Sequence, residues 1–432
     1  MSDLRLAVVG AGPVGLALAL HAARALPGAH ITVFDSRPAD HGVARDPRTL
    51  ALSLGSVQEL ERLGVWAAIA PASAPIEAVH VSQQQPALLA ALARLPQPEL
   101  LITAAECGVA QLGAVASYGA IVAPLQAAWL AAVAREPQRL TARFGTPVAA
   151  LKAVGGPADA SGDAGVEVDA GIAERFDLAV VAEGGVFAGQ PRKSFPQGLS
   201  SDYRQTAWVG QVTLEAAHGP SAAITAYERF TPQGPAALLP LPPSPQDPQA
   251  GPHGGGRTDG PRRAALVWCV NTDADPVAEL DDAQRLAVLN GVFHPRTGRL
   301  TGITPLKRFA LGMNAERTLV DGRTVRIGNA AQTLHPVAGQ GLNLGLRDAH
   351  ALVAALMTAS SDTGSLTAAL SRVEWQRAPD RWALIATTDF LARSFAWPLP
   401  GLASARGLGL AALQSLGPVR RALARRMMFG WR

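Results

Sequence analysis

The residues best suited to ligand binding or catalysis lie in a polar, glycine-rich stretch at residues 326–348, RIGNAAQTLHPVAGQGLNLGLRD. A β-type segment at 324–327 precedes it, and apolar residues at helical spacing after Gly341 predict a helix. Gly339, Gly341 and Gly345 lack a Cβ and would let the backbone approach a ligand closely. The free N–H groups at the start of that helix suit a phosphate or a ring oxygen. The same pattern is also typical of a packing loop, and the stretch alone does not decide between the two.

A second glycine-rich stretch near the N-terminus favours the ligand interpretation. Residues 4–9 predict a strand, and the sequence GAGPVG at 10–15 joins it to an Ala- and Leu-rich helix. Gly-x-Gly-x-x-Gly between a strand and a helix is typical of a dinucleotide-binding fold. A second predicted strand, 30–34, ends at an acid twenty positions after the last glycine, where a carboxylate can accept hydrogen bonds from ribose hydroxyls. The candidate cofactor residues of this stretch are Gly10, Gly12, Pro13, Gly15 and Asp35.

The segment that follows contains another candidate, Arg48. Its guanidinium is either solvated or directed at the bound cofactor, and periodicity does not separate these alternatives. Apolar residues at helical spacing predict a helix just after it, with Ser56 and Glu59 as a capping box.

Size and composition indicate a globular protein of two connected domains. The chain has 432 residues, 48% of them hydrophobic and 17% charged, and a net charge of +4 that does not imply nucleic acid. Cys107 and Cys269 are too few for a disulfide framework or a zinc cluster, so we expect buried, neutral thiols in a reducing cytoplasm. No His/Cys/Asp group has metal-ligand spacing, and Gly-x-Ser-x-Gly does not occur, so no metal site is predicted and acyl transfer is unsupported.

Three segments resemble the group A flavoprotein monooxygenases and, more narrowly, the hydroxylases of ubiquinone biosynthesis. They are the N-terminal glycine motif, the sequence DPRTLALS at 46–53, and GNAAQ…HPVAGQGLNLG in the second loop. The chain resembles the 2-polyprenyl-6-methoxyphenol hydroxylase branch of this family in three sequences. They are NAAQTLH at 329–335, YERFTPQGP at 227–235 and LVWC at 266–269. The resemblance covers nearly the whole chain apart from residues 242–263.

The resemblance implies an α/β fold with a Rossmann-like FAD-binding domain of the glutathione-reductase/p-hydroxybenzoate-hydroxylase type. An inserted antiparallel β-sheet substrate domain and a C-terminal helical region complete it. β-Forming residues at 206–214 and 265–270 agree with such a sheet, and the Pro- and Gly-rich residues 242–263 predict a mobile loop. The expected parts are the first FAD-binding part at 1–186 (with minor substrate-domain segments at about 70–105), the mainly substrate domain at 187–320, the second FAD-binding part at 321–360, and C-terminal helices with a basic tail at 361–432.

The resemblance further implies FAD as cofactor, with NAD(P)H and O₂ as co-substrates. The glycines of 10–15 would hold the pyrophosphate, and Gly328-Asn329 matches a Gly-Asp motif that contacts the ribityl chain. His335 is the catalytic candidate, either as a substrate-side group hydrogen-bonded to a phenol or as a loop histidine satisfied by backbone groups. The remaining candidate cofactor residues are Arg48, Glu183, Gly328, Asn329, Pro336, Gly339, Gly341, Leu342 and Asn343.

Two places depart from the family pattern. Glu183 stands where an aspartate is usual, and Phe187 and Gln190 stand where Ser and Arg are expected. Ala123 replaces a polar flavin contact, for which Gln126 is a substitute or else a plain surface glutamine.

The implied activity is hydroxylation of the ring of a polyprenylated methoxyphenol in ubiquinone biosynthesis. A sister hydroxylase acting at another ring position and a catabolic aromatic hydroxylase share every motif. An NAD-dependent dehydrogenase leaves the second loop unexplained, whereas the departures above keep open a non-catalytic flavin-binding partner in a biosynthetic complex.

The tail is basic: after Asp389 the sequence has arginines among leucines and no acidic residue. Such an end lies on anionic lipid or forms a packed helix with solvated arginines. The polyprenyl chain of the substrate that the resemblance implies favours the lipid interpretation, so we expect a cytoplasmic protein that contacts the inner face of the membrane peripherally, without nucleic acid. The resemblance also implies a place in a ubiquinone-biosynthesis complex.

Overall fold

The computed structural model describes residues 4–84, 97–155, 164–183, 198–215, 223–243, 261–293, 295–359, 363–394 and 402–431. The helices within these ranges are α1 (Pro13–Ala25), α2 (Leu54–Arg62), α3 (Trp66–Ile69), α4 (Tyr118–Arg135), α5 (Asp282–Val292), α6 (Gly341–Met357), α7 (Thr363–Ser394), α8 (Leu402–Ser415) and α9 (Gly417–Phe429). The strands in the first half of the chain are β1 (Arg5–Val9), β2 (His30–Asp35), β3 (Thr49–Ser53), β4 (Ser73–Ile76), β5 (Ala78–Gln83), β6 (Glu99–Thr103), β7 (Gly113–Ser117), β8 (Leu140–Phe144), β9 (Ala150–Val154), β10 (Gly165–Asp169), β11 (Ala173–Phe176), β12 (Leu178–Val181) and β13 (Leu199–Leu214). The later strands are β14 (Thr225–Thr231), β15 (Gly234–Pro240), β16 (Arg262–Asn271), β17 (Leu300–Ile303), β18 (Lys307–Ala315), β19 (Val320–Asp321), β20 (Thr324–Arg326) and β21 (Gln332–Thr333).

The first sheet is six-stranded, in the order β19-β20-β12-β1-β2-β8, and all its pairs are parallel except β19 with β20. Its central strand β1 is buried from Leu6 to Val9, as expected for a parallel strand covered on both faces. Apolar side chains of α1, α4 and α6 share one hydrophobic cluster with it. The predicted strands at 4–9 and 30–34, the helix after the glycine motif and the helix after Gly341 are confirmed.

The second sheet runs β21-β18-β13-β16-β15-β14-β5-β6, with β17 paired to β13. Its pairs are antiparallel except β14 with β5, which is parallel. The predicted strands at 206–214 and 265–270 lie within β13 and β16. A parallel sheet carrying the glycine motif, together with a large, mainly antiparallel sheet, confirms the predicted fold class. Two three-stranded sheets, β11-β10-β9 and β3-β7-β4, complete the β structure of the described residues.

The Pro- and Gly-rich segment predicted as a loop falls mostly on residues 244–260, which lie outside the described residues. Its predicted end at Arg263 is wrong, because β16 already begins at Arg262. The ladder with β13 extends to this end of β16, where Arg262 pairs with Leu214. Arg263 also donates from Nη2 to Gln211 Oε1 at 2.6 Å, so a polar pair extends the strand beyond its apolar part.

The helical C-terminal part packs by one apolar stripe. Ala424 and Met428 of α9 are buried in a cluster with Ile76 and Leu100. Among the residues that the structure describes, no helix is long and apolar enough to cross a membrane.

Two local predictions are wrong. Helix α2 starts at Leu54, directly after β3, so Ser53 is the N-cap, and its Oγ accepts from Ser56 N at 3.4 Å. Ser56 and Glu59 therefore do not form a capping box.

Cys107 is half-buried rather than buried, while Cys269 is buried as expected. Burial raises the pKa of both thiols, which keeps them neutral.

Candidate cofactor site

The first glycine loop, residues 10–15, has two positions that only glycine can occupy. Gly10 has φ of +106°, and a Cβ on it would lie 2.8 Å from the backbone nitrogen of Glu183. A Cβ on Gly15 would lie 2.0 Å from Gly10 O, so α1 can pack against the loop only without a side chain there. At Gly12 the nearest atom to such a Cβ is the hydroxyl of Tyr118, at 3.6 Å. The backbone at Gly12 therefore faces open space that a ligand can enter.

Two helices begin at the glycine loops without a side-chain cap among the residues described. Gly12 is the N-cap of α1, with Pro13 in its first turn, and Gln340 precedes α6. A Cβ on Gly345 would lie 2.7 Å from Val14 Cγ2, so this glycine lets α6 pack closely on α1. Uncapped N-termini present N–H groups and a positive dipole end, which together favour an anionic ligand.

The second glycine loop follows strand β20, which is separated from β1 by β12, and it approaches the first loop. Gly328 and Gly339 have φ of +59° and +58°. A Cβ on Gly328 would lie 3.3 Å from Val14 Cγ2, so this glycine packs directly against Val14. A Cβ on Gly341 would lie 3.7 Å from Asn329 Oδ1, so the amide of Asn329 sits beside the start of α6. Pro336 precedes a 3₁₀ turn, Val337–Gly339, that leads into this start.

Asp35 ends β2 beside the first loop and is only 7% exposed. It accepts from Ala11 N at 2.6 Å and from Arg37 Nε and Nη2 at 2.9 and 3.0 Å. Burial opposes its charge, but the hydrogen bonds from Arg37 and Ala11 outweigh that cost and hold the pKa of Asp35 below its ordinary value. These side chains line a cleft of about 230 Å³ together with Gln126 and Phe144.

Arg48 and Arg37 both contact Tyr118, the first residue of α4. The Arg48 guanidinium lies 4.2 Å from the centre of the Tyr118 ring and pairs with Asp46 at 2.7 Å. Arg37 Nη1 donates to the Tyr118 hydroxyl at 3.5 Å. The arginines therefore flank the open side of Gly12. Sequence reasoning missed Arg37 and Tyr118; the position of Arg37, two residues after the ribose acid, was the available signal.

His335 is 2% exposed, and both its ring nitrogens have partners. Nδ1 accepts from Val337 N at 3.2 Å, so Nε2 carries the proton and donates to Gln205 Oε1 at 2.8 Å. Burial lowers the pKa of His335 to about 4, which keeps the ring neutral. The edge of Tyr203 lies against it, with ring centres 5.1 Å apart. His335 thus connects the second glycine loop to β13 of the large sheet.

The side chain of Asn343 is fully used within the protein. Its Oδ1 accepts from Ser53 N and Ser56 Oγ, both at 2.8 Å. Its Nδ2 donates to Ala51 O and Gly339 O, both at 3.0 Å. Only its backbone remains for a ligand, and the same holds for the neighbouring Leu342, whose side chain packs on the hydrophobic cluster of the first sheet.

Of the positions that depart from the family pattern, the structure describes Glu183, Ala123 and the neighbouring Gln126. Loss of solvent and the charge of Asp35 raise the pKa of Glu183. Gln126 donates to Ala39 O at 2.7 Å and lines the cleft, whereas Ala123 is a half-buried residue of α4. Phe187 and Gln190 lie outside the described residues.

The arrangement fits a flavin dinucleotide on structural grounds. The open backbone at Gly12 and two uncapped helix N-termini suit a diphosphate, and a buried, ionised carboxylate stands beside the cleft. The second glycine loop and the start of α6 pack against α1 at Val14.

Comparison with known proteins agrees with this fit. The FAD binding domain family (FAD_binding_3) matches residues 253–388. The ubiquinone hydroxylase UbiL of Rhodospirillum rubrum is 34% identical over 259 residues, which are 59% of this chain and 54% of that protein, so the match spans about half of that relative. The 3-demethoxyubiquinol 3-hydroxylase of Escherichia coli is 28% identical over 425 residues, 96% of each chain.

Solved structures share the fold. The p-nitrophenol 4-monooxygenase PnpA of Pseudomonas putida superposes with a TM-score of 0.67 at 16% identity, covering 100% of both chains. HpxO of Klebsiella pneumoniae, solved with FAD and uric acid, gives a TM-score of 0.64 at 16% identity, covering 99% of this chain and 97% of that one. Together with the site geometry, these relationships lead to one conclusion: the chain carries an FAD-binding domain, is similar to hydroxylases of ubiquinone biosynthesis, and has FAD as its cofactor.

Proposed function

We propose that the protein hydroxylates the aromatic ring of a polyprenylated methoxyphenol in ubiquinone biosynthesis, with NAD(P)H as electron donor and O₂ as oxidant. The observation that carries this proposal is the convergence of two uncapped helix N-termini, α1 and α6, at glycine loops that belong to one packed unit. A dehydrogenase site requires only the first of these loops.

Bound FAD, reduced by NAD(P)H, supplies the activation of O₂, and the protein binds and orients the reactants and excludes water. In this proposal Gly10, Gly12 and Gly15 admit the pyrophosphate, and the α1 N-terminus stabilises its charge. Asp35 accepts from the ribose hydroxyls, and for this it must share its oxygens with Arg37.

The flavin end is assigned to the second loop. Asn329 beside Gly341 meets the ribityl chain, and the backbone from Pro336 to Asn343 lies against the ring. Because the side chain of Asn343 is committed to four protein hydrogen bonds, it supports this backbone rather than the ligand. Glu183, beside Gly10, remains a proposed neighbour of the cofactor.

His335 has a supporting role in this proposal. With both nitrogens bonded and its ring neutral, it orders the loop behind Pro336 and fixes the position of Gln205 on β13. A neutral, desolvated loop next to the flavin would favour a phenol substrate over a charged one.

Arg48 is proposed to support the cofactor through Tyr118. Its charge is shared with Asp46, and its stacking fixes the ring whose hydroxyl faces Gly12. Arg37 contacts the same tyrosine, and the charges around it balance, because Arg37 pairs with Asp35 and Arg48 pairs with Asp46.

A second candidate function is hydroxylation of a related ring at another position. The Escherichia coli relative, which matches over nearly its full length, is named for hydroxylating 3-demethoxyubiquinol at position 3. This supports a sister reaction on a later, more substituted ring, with the same cofactor and the same loops.

The proposal includes a peripheral position at the inner face of the membrane, where a polyprenylated substrate resides. The C-terminal helices bury Ala424 and Met428 but leave Leu408, Leu416 and Val419 exposed. Exposed apolar residues among arginines suit an anionic lipid surface. Membership in a complex of ubiquinone-biosynthesis enzymes is proposed on the family relationship alone.

The direct experiment is anaerobic reduction of the FAD-loaded protein by NADPH or NADH, with and without a short-chain 2-prenyl-6-methoxyphenol. Reduction accelerated by the phenol, followed in air by a product 16 mass units heavier per oxygen atom inserted, is the expected result. A matched run with the corresponding demethoxyubiquinol separates the two candidates by product mass and ring position. Absence of flavin reduction under every condition would overturn the proposal in favour of a non-catalytic flavin-binding partner.

A further inference from the structure

Three potential metal ligands from three helices meet away from the cofactor cleft. They are His21 on α1, Glu59 on α2 and His350 on α6. Glu59 Oε1 lies 3.1 Å from Nδ1 of His350 and 3.7 Å from Nδ1 of His21. The imidazoles are stacked, with ring centres 5.2 Å apart, and one ligand atom from each residue lies within 4.8 Å of the other two.

We propose that His21, Glu59 and His350 bind one divalent transition-metal ion, and that Zn²⁺ fits the donor set best. Two imidazole nitrogens and one carboxylate oxygen are typical zinc ligands, with bonds of about 2.0–2.2 Å. A metal at these lengths from Nδ1 of His350 and from Oε1 requires a separation close to the 3.1 Å observed, whereas Nδ1 of His21 lies 3.7 Å from Oε1 and must move closer. Ca²⁺ and Mg²⁺ prefer all-oxygen sites and fit poorly.

The electrostatics of the site suit a neutral-imidazole ligand set. Glu59 is 6% exposed, and Arg62 Nη1 binds its other oxygen, Oε2, which leaves Oε1 for the metal and fixes the plane of the carboxylate. Both imidazoles lie against this carboxylate, whose negative charge favours a cation there. The guanidinium of Arg62, which is paired with Glu59, opposes part of this attraction.

The site has room for a fourth ligand. Glu59 and His350 line a small cavity, with room for about one water molecule, together with Ser56, Arg347 and Phe429. Arg347 Nη1 is buried without a hydrogen-bond partner among the residues that the structure describes. A water molecule or a small anion on the metal could occupy this cavity, which is the open geometry that three-ligand zinc sites have.

The bound ion would hold together α1, α2 and α6. His21 lies eight residues after Pro13, about 12 Å along α1 from its N-terminus. The ion would therefore stabilise the helix pair that begins at the glycine loops, without reaching the reacting end of the cofactor. This inference does not depend on the substrate or on the reaction proposed above.

The test uses the FAD-loaded, full-length protein without a polyhistidine tag, stripped of metal by a chelator. Titration with ZnCl₂ should show one saturable equivalent, and Zn²⁺ at about a hundred times its Kd should raise Tm by about 3 °C. His21→Ala and His350→Ala should each weaken binding at least tenfold, whereas His30→Ala, on an exposed histidine of β2, should leave it unchanged. Binding should weaken from pH 7.5 to 5.5, because protons compete for the imidazoles.

Co²⁺ provides an independent readout on the wild-type protein. Visible d–d absorption that saturates at one equivalent and disappears when Zn²⁺ is added is expected. Absence of saturable Zn²⁺ and Co²⁺ binding to the wild type would overturn the proposal, whatever the variants do. So would equal binding by the wild type and the His21→Ala/His350→Ala double variant, provided that the double variant retains its FAD.

Discussion

The two glycine loops differ in how they treat their polar groups. The first loop leaves its functional face open: Gly12 meets nothing closer than the Tyr118 hydroxyl, and no described side chain caps α1. In the second loop the polar side chains of His335 and Asn343 are bonded to distant strands. The first loop is therefore accessible to a ligand, whereas hydrogen bonds to distant strands hold the second loop rigid. Residue type alone therefore does not show whether a polar group in a glycine loop binds a ligand.

The sharpest test of this difference compares two glycines of the first loop. Gly15→Ala should prevent folding, since its Cβ would lie 2.0 Å from Gly10 O. Gly12→Val should fold but lose FAD, because the added atoms fill the only approach to the backbone there. Flavin absorbance per protein and circular dichroism measure both. A Gly12→Val protein that retains a full complement of FAD would show that the pyrophosphate binds elsewhere.

In the second loop, Asn343→Ala should reduce the free energy of unfolding by about 3 kcal/mol, because four buried backbone and side-chain partners lose their hydrogen bonds. Ser56→Ala removes one of these bonds and should cost about 1 kcal/mol. Denaturant unfolding of both FAD-free variants measures this ratio. Equal losses in the two variants would mean that the other three hydrogen bonds of Asn343 do not stabilise the protein.

The buried histidine predicts a pH dependence. The pKa of His335 is lowered to about 4 in the folded protein, below its ordinary value of 6.5, so the unfolded chain binds the proton first as pH falls. Stability is therefore lost between pH 6.5 and 4, by about 2 kcal/mol on reaching pH 5. His335→Gln should remove this part of the acid sensitivity. A variant whose unfolding free energy falls as steeply as that of the wild type from pH 7 to 5 would contradict the assignment.

The smallest expected effect is at Asp35. Its pKa is held below the ordinary value of 3.8, so its contribution is present above pH 3.8 and is lost as pH falls further. Asp35→Asn should reduce the free energy of unfolding throughout pH 5–8, because the charge-assisted hydrogen bonds from Arg37 are lost. Asp46→Asn is the matched control, since it breaks the more exposed pair with Arg48 and should cost less. A larger loss of unfolding free energy in Asp46→Asn than in Asp35→Asn would contradict this prediction.

The parts of the site that were predictable lie close together in the sequence. Gly10, Gly12 and Gly15 follow a strand and precede a helix, so their roles depend on local order. The contacts that complete the site join distant residues. Tyr118 lies 81 positions from Arg37, and Gln205 lies 130 positions from His335. One sequence carries no information on such pairing, because it depends on how the sheets assemble.

The error at Ser56 has the same origin. Its residue type and spacing suit a cap, but Asn343, 287 positions later, takes its hydroxyl, and Ser53 becomes the cap instead. Tertiary partners thus override a local signal wherever a polar side chain is buried. The same holds for Glu59, which faces two histidines rather than the start of its helix.

The order of strands in the first sheet has a consequence for synthesis on the ribosome. On the side of this sheet nearest the second loop, β20 pairs with β12, and α6, which follows β20 in the chain, covers the shared hydrophobic cluster. The glycine loop at the N-terminus is therefore translated more than 300 residues before the segment that completes its binding site. Contacts of such long sequence separation form slowly. Nascent chains released before α6 should leave apolar strand surface uncovered and bind no FAD, which makes them substrates for chaperones and proteases.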